Sequence, residues 1–383
     1  MMTRHVRRAI LHVLLLLASL VTAQAAWVEA SGPDEPATTI SFSKQLIDGS
    51  VTRVHGVVAA DFDRDGDVDI AAADFKNGKV YWYQRDAAGE YEKKVLDASL
   101  AGAYPLSVGD VNQDGHVDIL AGGYVADDFV WYQNAGGGTF TRRVIDADSD
   151  GAHSIVLRDV DRDGKMDLVT ASQDSNTIAW YQNYGSLKFT KKVVDTKALK
   201  AKMADAADLD EDGDIDLVSA SYRSREIAWY RNNGRQEFTK IVIDNTAKGA
   251  YYVAPADIDR DGDVDIVAAS RLDDTIAWYR NDGGGVFTVR NIDTNANAAR
   301  MAITADMDRD GDPDVVAASV EDDTVAWHRN DGRGNFTKQI IDRTTKGAYW
   351  VFAVDIDRDN DLDVLSGANL AGDVFLHSQS KAR

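Results

Sequence analysis

A nine-residue acidic segment recurs at a fixed interval, and that interval constrains the fold more than anything else in the chain. "DFDRDGDVD" begins at Asp61, and related segments begin at Asp110, Asp159, Asp208, Asp257, Asp306 and Asp355, each start 49 residues after the last. Self-similarity at such a period means one structural unit used repeatedly, so the 383 residues read as one domain of stacked units rather than as two or three unrelated domains. Ahead of each acidic segment runs a short apolar stretch such as "GVVAA" (56–60), and after it another such as "DIVAAS" (265–270). An aromatic stretch follows, "IAWYRN" (276–281) being typical, then a glycine-rich turn and a segment such as "FTKIVID" (238–244). Each of the four reads as a strand, and the helical period is missing.

Four antiparallel strands per unit predict an all-β chain, a seven-bladed β-propeller with four-stranded blades. The seventh unit ends without its fourth strand. "ISFSKQLID" (40–48) places Phe42 at the repeat position of Tyr91, Phe140, Phe189, Phe238, Phe287 and Phe336, so the N-terminal strand is expected to complete the last blade. That closure would remove the open sheet edge. The tryptophans at 82, 131, 180, 229, 278 and 327 suit either sugar stacking or packing between blades. Recurrence in nearly every unit, with Leu376 in the seventh, favours packing.

The first 25 residues differ from the rest. Arg4, Arg7 and Arg8, the apolar run 9–21 and "AQA" (23–25) have the layout of a secretory signal cleaved near Ala25. The apolar run is too short to span a bilayer, which needs about 20 residues. The expected organisation is signal 1–25, linker 26–37, propeller 38–378 and tail 379–383, giving a secreted or periplasmic, monomeric chain with no membrane span. The chain has no cysteine, so disulfides do not hold it together. Without the signal, 39 basic stand against 63 acidic residues, a formal charge of −24, which argues against a nucleic-acid partner.

Within the nine-residue segment, positions 1, 3, 5 and 9 carry oxygen in every copy, and position 6 is glycine except for Asn360. Position 7 varies from Asp67 to Lys165, so its backbone carbonyl is the expected contributor there. Converging oxygen ligands suit a hard cation of flexible coordination, calcium before magnesium. An EF-hand loop would need a carboxylate at position 12, where Ala72, Ala121, Thr170, Ser219, Ala268, Ala317 and Ser366 stand. Up to seven structural Ca²⁺ would bring the formal charge from −24 to −10.

These loops and blades resemble FG-GAP/VCBS repeats, as in integrin α-subunit propellers, over residues 38–378. In that family the D-x-[DN]-x-D-G-x-x-D loop joins the first two strands of a blade and binds calcium. The resemblance implies metal-ligand roles for Asp61, Asp63, Asp65 and Asp69 in the first loop, and for Asp110, Asn112, Asp114 and Asp118 in the second. It implies the same for Asp159, Asp161, Asp163 and Asp167, for Asp208, Asp210, Asp212 and Asp216, and for Asp257, Asp259, Asp261 and Asp265. The last two sets are Asp306, Asp308, Asp310 and Asp314, and Asp355, Asp357, Asp359 and Asp363. Pro313 and Asn360 depart from the pattern and mark loops six and seven as the expected weaker binders.

Six residues before each loop stand His55, Tyr104, His153, Lys202, Tyr251, Arg300 and Tyr349. The resemblance implies that the first strands line the axis and open away from the acidic loops, so these residues are expected to ring the channel mouth on that face, with Trp350 and Tyr252 beside them. The loops between strands two and three, which begin at Phe75, Tyr124, Gln173, Tyr222, Arg271, Val320 and Asn369, vary most. Such a ring is either mouth packing or a ligand surface. As a surface it fits a non-enzymatic binding or adhesion module for carbohydrate or an extracellular, cell-surface protein. The competing reading is a polysaccharide lyase, in which His or Tyr acts as base and Arg300 or Lys202 neutralises a uronate during β-elimination. No serine elbow, phosphate loop or zinc-spaced histidine pair is visible.

Overall fold

The computed structural model describes residues 40–185 and 188–381. The expected signal and linker lie outside the described residues. Those residues form 28 strands, β1 to β28 in chain order, arranged as seven four-stranded antiparallel sheets. Blade one comprises β2 (Val54–Ala60), β3 (Asp69–Asp74), β4 (Lys79–Arg85) and β5 (Tyr91–Asp97). The first strands of the later blades are β6 (Ala103–Gly109), β10 (Ala152–Arg158), β14 (Ala201–Ala207), β18 (Ala250–Ala256), β22 (Ala299–Ala305) and β26 (Ala348–Val354). Each packs on the next, and β26 packs on β2, so the blades close into a ring around an axis lined by first strands. No helix among the described residues is long and apolar enough to cross a membrane.

The last blade closes as the repeat spacing predicts. β1 (Ile40–Asp48) pairs antiparallel with β28 (Val374–Lys381), from Ile40 opposite Lys381 to Asp48 opposite Val374. One boundary shifts from the sequence reading: the residues expected as tail from 379 continue the strand to Lys381, because Gln379 has a structural task given below. The expected start at 38 lies outside the described residues.

The core lies between blades. Each tryptophan packs edge-on against the phenylalanine of the following blade: Trp82 on Phe140 at 5.8 Å, Trp180 on Phe238 at 6.3 Å, and Trp327 on Phe42 at 6.4 Å between ring centroids. At the seam, Leu376 joins a cluster containing Tyr91, Tyr83 and Ile70 of blade one. These indoles are at most 6% exposed, so stacking on a sugar is closed to them.

Two polar latches, which the sequence reading missed, join neighbours. The tyrosine after each tryptophan donates to the aspartate ending the previous blade's fourth strand: Tyr83 to Asp48 at 2.6 Å, Tyr132 to Asp97 at 2.7 Å, Tyr279 to Asp244 at 2.8 Å. In blade six His328 takes this place, 3.1 Å from Asp293. The asparagine two residues further on reaches the carbonyl at position 2 of the previous blade's acidic loop, as Asn134 does to Phe62 at 2.7 Å and Asn330 to Ile258 at 2.9 Å. Gln379 does the same to Met307 at 3.1 Å, which is why the chain continues past 378.

The aspartate latches make stability depend on acidity. Burial pushes Asp146 up, but hydrogen bonds from Lys191, Tyr181 and Ser149 outweigh it and hold the carboxyl down at about 2. Asp342 is likewise held at about 2, where contacts from Lys44, Thr345 and Thr344 overcome its burial. A folded value below the unfolded 3.8 contributes stability that is present above about pH 4 and fades as pH falls toward 2. Asp146→Asn is therefore expected to lower Tm at pH 7. The gap from the parent, followed by calorimetry, should narrow steadily below pH 4.

Candidate functional site

Each acidic loop connects the first two strands of its blade and is built by its own hydrogen bonds. The backbone N–H at position 6 donates to the position 1 carboxylate at 2.7–3.1 Å in all seven copies. The turn needs left-handed backbone at position 6, with Gly66 at φ 101° and Asn360 at φ 75°, so Asn360 makes the same turn as the glycines. Position 4 is left-handed too, at φ 56–63°, in residues as large as Arg64 and Arg358. Nothing in the sequence signals this, because only glycine and asparagine advertise such conformations. Several of these side chains reach the next blade's loop, as Arg162 does to Asp208 at 3.3 Å and Arg358 to Asp61 at 3.5 Å.

The position 9 aspartates are buried and staple the loop to the blade. One oxygen of Asp265 accepts from the backbone of Ile258 at 3.0 Å and the other from Asn281 at 2.7 Å, and the other six copies repeat the pattern. Burial pushes these carboxyls up, to about 7 for Asp69 and Asp314 and about 6 for the others. A nearby cation would restore the ionised form.

The donor set fits a divalent ion. Oxygens of Asp159, Asp161 and Asp167, of Asp208, Asp210 and Asp216, of Asp257, Asp259 and Asp265, and of Asp306, Asp308 and Asp314 lie within 4.8 Å of one another. In the first loop the grouped residues are Asp61, Asp63 and Asp65. Such spacing matches oxygens around an ion with bonds of about 2.4 Å. Moreover, the position 1 Oδ1 atoms of Asp61, Asp159, Asp208, Asp257, Asp306 and Asp355 are buried without a hydrogen-bond partner. An orphaned carboxylate oxygen repeated six times asks for a cation.

Loop two is the exception. Its Asp110 Oδ1 accepts from the Asp114 backbone at 3.0 Å, and the Asn112 amide donates to Asp114 at 2.8 Å, so the loop partly satisfies itself. Loops six and seven, singled out from the sequence by Pro313 and Asn360, keep the common geometry. The Pro313 carbonyl accepts from Asn330 at 3.0 Å as its counterparts do, and Asp355 keeps its orphaned oxygen.

At the opposite end of the first strands, the seven predicted ring residues come together. Rather than standing around an open mouth, they meet across the axis and plug it. His55 stacks on Tyr349 at 4.2 Å, Tyr104 lies 4.4 Å from His153, and the Arg300 guanidinium sits 3.5 Å from the rings of both Tyr251 and Tyr349. His153 Nε2 is 2.9 Å from the Tyr251 hydroxyl and 3.3 Å from Lys202 Nζ. The physical reason is a β-bulge. In every blade the register with the second strand slips at this residue, between Val54 and Gly56 in blade one and between Ala299 and Arg300's other neighbour Met301 in blade six. A bulge re-aims the side chain, here toward the axis, and the sequence does not reveal it. Desolvation keeps His55 down at about 3 and His153 well below its usual value.

Above the plug, toward the acidic loops, the axis holds a cavity of about 360 Å³ walled by Val58, Leu106, Ile155, Met301, Phe352 and Trp350 among others. Trp350 thus lines the cavity instead of an outer mouth. Between neighbouring first strands β10 and β14, Arg158 pairs with Asp205 at 2.9 Å, which the sequence reading missed. Outside the plug, on the far face, Phe75, Tyr124, Gln173, Tyr222 and Asn369 form a half-exposed second ring, with Phe75 4.4 Å from His55 and Asn369 3.0 Å from it.

Fold and site together define a seven-bladed propeller whose blades each carry an acidic turn able to hold a cation. The FG-GAP-like repeat family matches in six overlapping stretches, 61–121, 110–170, 159–219, 208–268, 257–317 and 306–366. The chain belongs to that family. Among solved structures, a virginiamycin B lyase from Staphylococcus aureus is 12% identical with a TM-score of 0.62, covering 89% of this chain and 99% of its own. A streptogramin B lyase is 14% identical with a TM-score of 0.61, covering 88% and 98%. An Agrocybe aegerita lectin that recognises non-reducing terminal N-acetylglucosamine is 20% identical with a TM-score of 0.56, covering 87% and 86%. At such identities these neighbours share the fold alone. Among curated proteins no sequence matches.

Proposed function

We propose that this chain is an exported, calcium-stabilised, non-enzymatic binding module, with carbohydrate or an extracellular protein as ligand. The observation that carries the calcium reading is the set of six buried, partnerless position 1 oxygens. The ligand reading rests on the face away from the acidic loops. There the half-exposed Phe75, Tyr124 and Tyr222 stand beside Gln173 and Asn369, and Val125, Leu272 and Leu370 are 59–66% exposed just outside them. Aromatic faces interleaved with amide groups over a rigid plug suit a sugar or a protein surface.

The β-elimination reading has the right residue types in contact, since His153 touches Tyr251 and Lys202. Yet His153 and Tyr251 are 4–5% exposed, beyond the reach of a bulky polysaccharide, and a histidine held neutral that far below its usual range is a poor base.

Glycan arrays and pull-downs from extracellular protein, with calcium present, test the binding reading. The double change Tyr124→Ala and Tyr222→Ala is expected to weaken a captured ligand at least tenfold while leaving Tm within a few degrees. Failure of both screens, or retention of full binding by the double variant, would overturn it.

A further inference from the structure

The lower wall of the axial cavity carries two cationic side chains with no anion to meet. Arg300 is 5% exposed, and its one side-chain hydrogen bond among the described residues goes to the Tyr104 hydroxyl at 3.1 Å. Tyr251 and Tyr349 cover the guanidinium faces, which leaves free donors along its edge, and Arg300 lines the cavity. Lys202, from the blade two places earlier, lines the same cavity, with its Nζ 4.8 Å from the Tyr251 ring. It donates to Gln173, and the nearby carboxylate of Asp174 is already engaged by Lys200 at 2.5 Å and Tyr124 at 2.8 Å. A buried guanidinium and a half-buried amine in a strongly acidic protein, with the carboxylate near Lys202 committed elsewhere, are costly unless something neutralises them. The walls above them are apolar, and 360 Å³ falls in the range of small-molecule pockets.

We propose that the axial cavity is a binding site for a small organic carboxylate with an apolar body, its head meeting Arg300 and Lys202 and its body filling the channel toward the acidic-loop face. This goes beyond the surface-binding reading and does not depend on it, because the cavity lies on the other side of the plug, with Lys202 alone reaching both sides through its bond to Gln173. Planar guanidinium donors match a carboxylate in two-point fashion, and the ammonium adds a point charge. Burial first, and Arg300's charge second, push Lys202 down to about 6, which is what a site short of its anion looks like.

Titration calorimetry with octanoate and benzoate, against octanamide and benzamide, on the calcium-loaded mature chain tests this. At least one carboxylate is expected to bind saturably and its amide not at all. Lys202→Met and Arg300→Met should each weaken binding by about tenfold or more. Lys202→Met should at the same time raise Tm of the unliganded chain at pH 7, since an amine held near 6 in the fold, far below its free value, costs stability that methionine would not, a gain a merely structural lysine would not give. Ala305→Trp, which fills the channel above the floor without touching the charges, should abolish binding and covers the case in which a floor variant fails to fold. Equal binding of acid and amide, unchanged affinity in all three variants, or no binding by either carboxylate overturns the proposal.

Discussion

Excess EDTA is expected to lower the melting temperature of the mature chain by about 20 °C or more, and added calcium to restore it. The size follows from multiplicity. Exported calcium modules bind with Kd of roughly 0.1–1 mM, so at about 10 mM calcium each site contributes about 1.4–2.7 kcal/mol through mass action. Summed over seven loops this is about 10–19 kcal/mol, comparable to the whole stability of a typical domain and worth about 1–2 °C per kcal/mol in a chain of this length. The loops are also tied across blades by the asparagine latches, so losing one ion loosens the neighbour that holds its loop. A calcium titration followed by calorimetry should show one weak step for loop two beside stronger ones. An unchanged melting curve in EDTA would count against calcium as a structural ion.

Deleting residues 40–48 should be nearly as damaging. β1 is mostly exposed, so its value lies in what it completes. It covers the backbone edge of β28, seats Phe42 against Trp327, and supplies Asp48 to Tyr83 and Lys44 to Asp342 at 2.6 Å each. Loss of one half-buried aromatic costs about 3 kcal/mol and each latch about 1 kcal/mol, which at about 1–2 °C per kcal/mol for a chain of this length corresponds to a fall in Tm of about 10 °C before the bared edge adds to the damage. The bared edge should also make the truncated chain self-associate, visible by size-exclusion chromatography. Adding the peptide ISFSKQLID in trans is expected to recover part of the loss. A truncated chain that melts with the parent and stays monomeric would mean the ring does not depend on this closure.

The parts legible in the sequence are those that repeat with one residue type. A constant 49-residue spacing, glycine at position 6 and aromatics at fixed offsets fix blade number, strand order and the N-terminal closure, and the structure agrees with each. What escaped depends on pairs far apart or on backbone irregularity. The Tyr83–Asp48 latch joins residues 35 apart, and only the constancy of that offset, with His328 substituting for tyrosine, could have exposed it. Counting back six residues finds the residues of the plug, but its closure is not legible, because seven side chains of four types on bulges share no motif. Loop two's self-satisfaction turns on one amide, Asn112, whose donor capacity a carboxylate lacks. Loops six and seven keep the common backbone geometry despite their departures, since asparagine tolerates the left-handed turn and the Pro313 carbonyl still accepts from Asn330.

The most direct test of the central claim, that cations held by the acidic loops keep the ring closed, is metal analysis of the mature chain after dialysis against calcium buffer. The expected result is close to one calcium per blade, six bound firmly and loop two's more loosely. Little or no bound metal in a chain that is still compact and melts unchanged in EDTA would contradict it.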